Sequence, residues 1–553
     1  MINFRYHNFF IVLICLFLAT TGISQDKGIF SGGLESNANF FQRDSLIGAD
    51  GIPQYDHLLF GAEAWMNLSY QIGTWNMGIR FDIFNNSNLR DPNGAYTEQG
   101  IRYWYLKKQI KNLEITAGHM YDQIGSGIIY RAYEERPLFI DNSLYGLKLK
   151  YDINEDWSIK AFTGKQKNLF GTYSGILKGA SLEGYLSLGE EKPITFAPGI
   201  GLVNRTHSEE NMTEIVSILK TYIGTDRVTP VYNTYAASLF STVSYDAWSL
   251  YFEGAYKTPE VFNDPYALKT SLSGELVEGK FIKKAGTVLY SSLSYGKKGL
   301  GITGEIKRTE NFDFRTSPVL SLNHGLINFI PPMNRINTYR LTARYSPATQ
   351  LLSELAYQMD VRYAINKRLS VNVNFSNITD LNNKLLYREI YTEFLLKKKR
   401  SWRLIAGLQL QSYNQQIYEG KTAAPMVQTI TPFVDFLYKL NRKNSIRLEG
   451  QYLYSKEDYG SWLYGMVEYT FAPKWGFELS GMYNIATTKK APKDANGNAI
   501  QVLYPTVGAT YTNGSNRFAL KYVKQVEGIV CSGGVCRLEP AFSGFKFSVN
   551  SSF

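Results

Sequence analysis

His119 followed by Ser126 is the pair whose side chains suggest a hydrolytic couple, with imidazole taking the proton of a serine hydroxyl. Such a couple needs both groups on neighbouring wall positions and a third polar group to orient the histidine. The stretch between them leaves that geometry open, and His119 reads more simply as a strand-end residue. No metal-ligand spacing, phosphate-cradling loop or nucleotide fingerprint accompanies His57, His119, His207 or His324. Gly125-Ser126-Gly127 is too common a pattern to count. The expectation is a protein that is not an enzyme and holds neither cofactor nor metal.

Cys531 and Cys536 form the second reactive pair, in Gly528-Ile-Val-Cys-Ser-Gly-Gly-Val-Cys-Arg537. The two glycines between them allow a tight hairpin, and an exported compartment would oxidise the thiols to a disulfide. Free thiols or half of a metal site are the alternatives, though two cysteines without a nearby histidine make a poor metal site.

A third constellation is electrostatic. Arg131, Glu134, Glu135, Arg136 and Asp141 alternate in sign within a long connection, and Gly125, Ser126 and Gly127 permit a sharp inward bend before them. If segment 119–142 folds into a pore, these opposed acids and bases would set a transverse field at a constriction. The plainer alternative is a loop whose ion pairs only fasten it to the wall.

The elements that must position these residues show a period of two. Trp75, Met77, Ile79, Phe81 and Ile83 alternate with Asn76, Gly78, Arg80 and Asp82. Tyr145 to Tyr151, Tyr339 to Tyr345, Leu355 to Tyr363 and Ile446 to Gln451 repeat the pattern. Side chains in a strand point alternately to opposite faces, so each segment has one greasy and one polar face. A soluble sandwich would share that pattern, but three features favour a transmembrane antiparallel β-barrel.

Long segments follow one another in pairs across short turns such as Gly73-Thr74 and Asn513-Gly514-Ser515. Longer loops separate the pairs, at 42–56, 85–99, 119–142, 206–232, 258–284, 413–426 and 486–502. This is the rhythm of periplasmic turns and extracellular loops. Aromatic residues recur at strand ends, as in Tyr103-Trp104-Tyr105, Trp157, Trp248, Trp402, Trp462 and Trp475, where a lipid–water boundary would lie. The C-terminus places Phe545, Phe547, Val549 and Phe553 on one parity, as in a terminal strand read by the barrel-assembly machinery. The count is roughly 24 to 26 strands, in one domain over 25–553.

Composition agrees. The chain has 553 residues, 44% of them hydrophobic and only 19% charged, with 40 tyrosines. Disorder is excluded by the apolar content. Beyond the first 25 residues or so, no apolar run approaches the ~20 residues a spanning helix needs. Residues 1–24 read as a secretory signal, with Arg5 before an apolar stretch and a cut before Gln25, rather than as an anchor. The net charge of +11 is spread over the whole chain, which argues against nucleic acid. Basic clusters at the short turns (Lys107-Lys108, Lys297-Lys298, Lys367-Arg368, Lys397 to Arg400, Arg442-Lys443) would suit anionic headgroups.

With the greasy parity outward, the lumen would be lined by Arg80, Lys148, Lys150, Arg340, Arg344, Arg362, Arg447 and Glu449, among others. Arg or Lys facing lipid at the midplane would cost roughly 2–4 kcal/mol. The stretch Gly118 to Asn142, Ile330-Pro331-Pro332-Met-Asn-Arg-Ile-Asn-Thr-Tyr339, the cysteine hairpin and the final Asn-Ser-Ser-Phe553 together resemble a Bacteroidota family of porin-like outer-membrane barrels. The resemblance runs over nearly the whole chain and implies a barrel of the Gram-negative outer membrane, without an activity or functional residues. The tandem prolines depart from the single proline expected there.

These readings combine into a channel for hydrophilic solutes, with 119–142 as its constriction. Its partners are then outer-membrane lipids, the assembly machinery and a small solute. The rival is a non-transport barrel whose loops bind a component of a surface or secretion machine. A hydrolytic barrel stands third.

Overall fold

The computed structural model describes residues 28–398, 400–488, 491–494 and 496–553. The signal segment and its cut before Gln25 lie outside them. From Ile29 onward the chain runs up and down as an antiparallel sheet that closes on itself. Its 25 strands include the short piece Leu186–Leu188, which pairs only with Ile194–Phe196, so 24 strands form the wall. The first strand, Ile29–Phe41, pairs with the last, Phe542–Ser552, with Phe40 opposite Phe545. Phe553 N–H donates to Gly32 O at 3.0 Å, and Gly32 N–H returns the bond to Phe553 O at 2.9 Å. No edge is left, as lipid requires of any spanning sheet.

Both strand ends of the barrel's seam, Ile29 and Ser552, lie on the rim of short turns (73–74, 111–112, 246–247, 298–299, 514–515 and their neighbours). The opposite rim carries the long connections. These run at 42–59, 88–95, 121–143, 207–232, 265–279, 311–352, 415–425, 488–502 and 526–541.

The exterior is apolar. Leu147, Leu149, Leu239, Leu289, Val467, Leu479 and Leu520 are exposed on it, as are Phe545, Phe547 and Phe553 of the terminal strand. Trp75, Trp248 and Trp475 ring the short-turn rim, where Lys108 Nζ lies 4.2 Å from the Trp75 ring centre. Among the described residues no helix is long and apolar enough to cross a membrane; the crossing is made by strands.

Three expectations are corrected. The segment Tyr339 to Tyr345 is not a wall strand: it lies within the 311–352 connection, with Tyr339, Leu341 and Tyr345 buried. The tandem Pro331-Pro332 supplies no ladder donors, and the greasy parity that follows packs on an interior surface instead of lipid. Trp462 is fully buried inside the barrel and takes no part in the girdle. Of Tyr103-Trp104-Tyr105 only Trp104 is exposed; Tyr105 Oη donates inward to Asn76 Oδ1 at 2.6 Å.

Candidate functional site inside the barrel

Along the inner face, polarity changes with height. In Asn444–Leu453 the inward residues run Ser445, Arg447, Glu449, Gln451, Leu453 from the turn rim to the loop rim. In Trp75–Ser87 they run Gly78, Arg80, Asp82, Phe84. In these two strands the turn-side half is charged and the loop-side half apolar, whereas elsewhere the loop-side half also buries ion pairs, Arg205 and Lys257 with Glu260 and Lys307 with Glu354. Two dry clusters fill that half. One packs wall residues Phe162, Leu177, Val203, Ala236 and Val288 around Ile124, Ile128, Ile129 and Tyr130 of loop 121–143, with Phe312, Phe314 and Ile327 of loop 311–352. The other packs Leu453, Trp462, Met482 and Tyr504 around Met333, Leu341 and Tyr345. Loop residues thus meet the wall as one core, because the apolar parity at the loop rim has nothing else to cover it.

Loop 121–143 enters the lumen as two small hairpins, Asp122–Ile124 with Tyr130–Ala132 and Glu134–Glu135 with Ile140–Asp141. Gly125 (φ 56°) and Gly127 (φ 102°) take left-handed conformations at the first tip, the sharp bend that glycine permits. Between them Ser126 donates through N–H (2.8 Å) and hydroxyl (2.6 Å) to Glu253 Oε2 on the wall. Gly201 of the wall strand Ile194–Thr206 leaves the space Ile124 fills; a Cβ there would stand 2.2 Å from Ile124 Cγ2.

The second hairpin is held by buried charge. Arg80 reaches Asp82 (2.8 Å), Glu134 (2.7 Å) and Asp141 (2.7 Å), while Arg102 contacts Asp82 at 3.1 Å and Lys167 pairs with Asp141. Three cations and three carboxylates thus balance inside the protein, the condition under which buried ions are tolerated. Arg102 joins the set through a β-bulge: Arg80 faces Tyr103 and Phe81 faces Ile101, leaving Arg102 as the extra residue.

Of the proposed constriction residues, Asp141 is enclosed in this cluster with only 2% of its side chain exposed. Glu134 and Arg136 sit at its edge, Arg136 binding Glu35 of the first strand at 2.5 Å. Arg131 is pinned between Phe329 (4.1 Å) and Tyr133 (4.8 Å), and Glu135 lies half-buried opposite Ile140. The segment thus leaves Arg136 partly exposed against the first strand, and uses Asp141, Glu134 and Arg131 as attachments.

The proposed lumen residues divide likewise. Arg80 is buried in the cluster, and Lys148 meets Asp122 at 3.2 Å. Lys150 pairs with Asp152 (3.2 Å), Arg362 with Asp360 (2.9 Å), and Arg447 with Asp435 (3.0 Å) and Glu449 (2.8 Å). Arg340 and Arg344 belong to the inner segment and not to the wall. Arg344 stacks on Trp462 at 4.9 Å and lies 3.8 Å from Asp458. Burial works against a charged Asp458, but Arg344, Gln415, Lys421 and Tyr345 outweigh it and hold the carboxyl below its ordinary range.

His119 and Ser126 do not meet. The His119 ring lies 3.3 Å from the backbone of Trp104, while the Ser126 hydroxyl is taken by Glu253. Among the described residues no cluster of histidine, cysteine, aspartate and glutamate has the form of a metal site.

The third inward segment, 526–541, carries the hairpin Gly528–Ser532 with Val535–Glu539, closed by the disulfide Cys531–Cys536. It is tied to loop 311–352 where Thr349 N–H donates to Gly534 O at 2.8 Å. Beside it, segments 88–95, 121–143 and 526–541 leave a charged cavity of about 380 Å³ against the seam strands, lined by Glu35, Glu63, Arg136, Arg537, Glu539 and Lys546 among others.

Closed wall, lipid-facing exterior and filled lumen define an outer-membrane β-barrel with an internal plug made from its own loops. The chain belongs to a family of unknown function (DUF6029), whose pattern matches residues 5–553. No curated protein matches it. Among solved structures it is similar to the P pilus usher (PapC) translocation pore, at 10% identity and TM-score 0.40, over 95% of this chain and 99% of that one. It is also similar to the ferric-catecholate import receptor Fiu from E. coli K12, at 10% identity and TM-score 0.41, over 96% and 82%. A third similar structure is OccAB4 of Acinetobacter baumannii, at 13% identity and TM-score 0.32, over 73% and 96%.

Proposed function

We propose that the protein is a porin-like channel for hydrophilic solutes of the Gram-negative outer membrane, narrowed by loop 121–143 and its two companion segments. The observation that carries this reading is the charged crevice beside Arg136. It keeps Glu35, Glu63 and Glu539 beside Arg136, Arg537 and Lys546 in an open space, while much of the remaining lumen is filled by packed loop and wall side chains. A transverse field of this kind admits small polar molecules and excludes apolar ones. The chain reaches the membrane through its signal and is inserted by the assembly machinery, with Phe545, Phe547 and Phe553 as the recognition strand.

Purified protein in planar bilayers tests the reading. The expected result is small, steady conductance steps whose size changes in Arg136→Ala. Silence at all voltages overturns it. The dry packing of loop 311–352 favours a second reading, a non-transport barrel whose loops bind a component of a surface machine. Silence together with a partner that co-purifies at fixed stoichiometry supports that alternative.

A further inference from the structure

A larger cavity, of about 660 Å³, opens among the loops on the far side of the cysteine hairpin. Loops 88–95, 121–143, 311–352, 415–425 and 526–541 all contribute to it. Its body is apolar: Leu138, Phe139, Leu326, Ile330, Leu351 and Val535 face one another across it. Single apolar residues on loops are ordinary, but a cavity walled by them and of drug-sized volume is the usual form of a small-molecule site.

The polar groups around that body are unbalanced. Arg90 and Arg537 line the cavity, and neither forms an ion pair among the described residues. Arg315 also lines it but is neutralised by Asp313 at 2.8 Å, and the lining acid Glu419 is taken up by Lys421. Several buried polar atoms at the lining lack hydrogen-bond partners: Asn328 Oδ1, Thr349 Oγ1, Tyr418 Oη and Arg537 Nε. Asn328 is 3% exposed. Buried polar atoms are nearly always satisfied, and these four belong to residues that line the cavity, so their unused capacity lies next to it.

We infer that this cavity is a binding site for an amphipathic anion, with an apolar body against Leu138, Leu326 and Leu351 and a carboxylate-type head at Arg90 and Arg537. The two guanidinium groups, neither in ion-pair contact, select the negative head; Glu63 and Glu539 act on Arg537 only from a distance, and a neutral analogue would leave Arg90 without a contact partner of opposite charge. Arg537 also lines the 380 Å³ crevice, so the anion would sit directly above the proposed solute path. The site does not depend on the channel reading, because binding is measured without conductance.

The test uses the full barrel in phosphatidylcholine nanodiscs, with decanoate as probe, decanol as its neutral counterpart, and empty discs subtracted. Calorimetry is expected to show saturable decanoate binding at least tenfold tighter than decanol. Arg90→Gln/Arg537→Gln should weaken it at least tenfold, and Ala348→Trp, which fills the cavity from loop 311–352, should abolish it. Gel migration of the unheated barrel establishes that each variant is folded, and Arg442→Gln at the opposite rim should bind as the parent does. No saturable binding, equal affinity for decanol, or undiminished binding in folded Ala348→Trp overturns the inference.

Discussion

Replacing Asp141 with asparagine keeps the shape of the second inner hairpin and removes one charge from its anchor. In the intact cluster, Arg80, Arg102 and Lys167 face Asp82, Asp141 and Glu134; the variant leaves three cations and two carboxylates. The Arg80, Lys167 and Asp141 side chains are only 1–3% exposed, so water screens little of the imbalance. Removing one partner of such a buried set costs about 3–5 kcal/mol. The same loop is also held by Ile124, Ile128 and Ile129, each 0% exposed. Their burial stabilises the docked state by roughly 1.5–3 kcal/mol apiece.

The apolar anchor therefore exceeds the loss, and the loop should stay docked but open more often. At 1.36 kcal/mol per tenfold, the opening equilibrium rises by about 10² to 10⁴. Hydrogen exchange reads this at two amides: Asn142 N–H, bonded to Tyr133 O at 3.1 Å, and Arg131 N–H, bonded to Ile327 O at 2.9 Å. Both should exchange at least a hundredfold faster in Asp141→Asn, while amides of the wall strand Leu144–Asp152 keep their rates. Unchanged exchange at both positions would refute the idea that charge, and not hairpin geometry, fastens this end.

Three further outcomes follow from the same geometry. Gly201→Val should push Ile124 out of its recess, at about 1–3 kcal/mol for overpacking, seen as faster exchange across 122–132 in an otherwise intact barrel. Cys531→Ser should loosen the hairpin by about 2 kcal/mol, the contribution of so short a closed loop. Exchange at 528–539 would then rise while the melting of the barrel is unchanged. Asp458 sits outside the strands with its carboxyl held low, so its contribution is complete above the ordinary value of 3.8 and is lost as pH falls through the lower folded value. The Tyr345 hydroxyl, which donates to Asp458 at 2.9 Å, should thus be released only in strong acid, and Asp458→Asn should make fluorescence of the neighbouring Trp462 insensitive to that change.

Local chemistry in the chain was enough to specify the wall. The alternation of Ile79 with Arg80, or Leu149 with Lys148, needs only the two-residue period of a strand. The short turns and the terminal phenylalanines then set direction and closure. The cysteine pair was equally readable, because two glycines between the thiols leave a hairpin little choice. Arg102 carried a faint signal: Ile101 and Trp104 face outward three positions apart, a break in parity that marks the bulge.

The plug was decided elsewhere. Tyr339, Leu341 and Tyr345 have the same parity as a lipid-facing strand, and no local property distinguishes hydrocarbon from the apolar surface of Leu453, Trp462 and Met482. Asp141 likewise has the sequence context of a pore acid, yet its partners Arg80, Arg102 and Lys167 come from three separate wall strands, outside its own hairpin. A side chain's period follows from its own backbone, whereas what covers it depends on which distant segments closure of the barrel brings opposite.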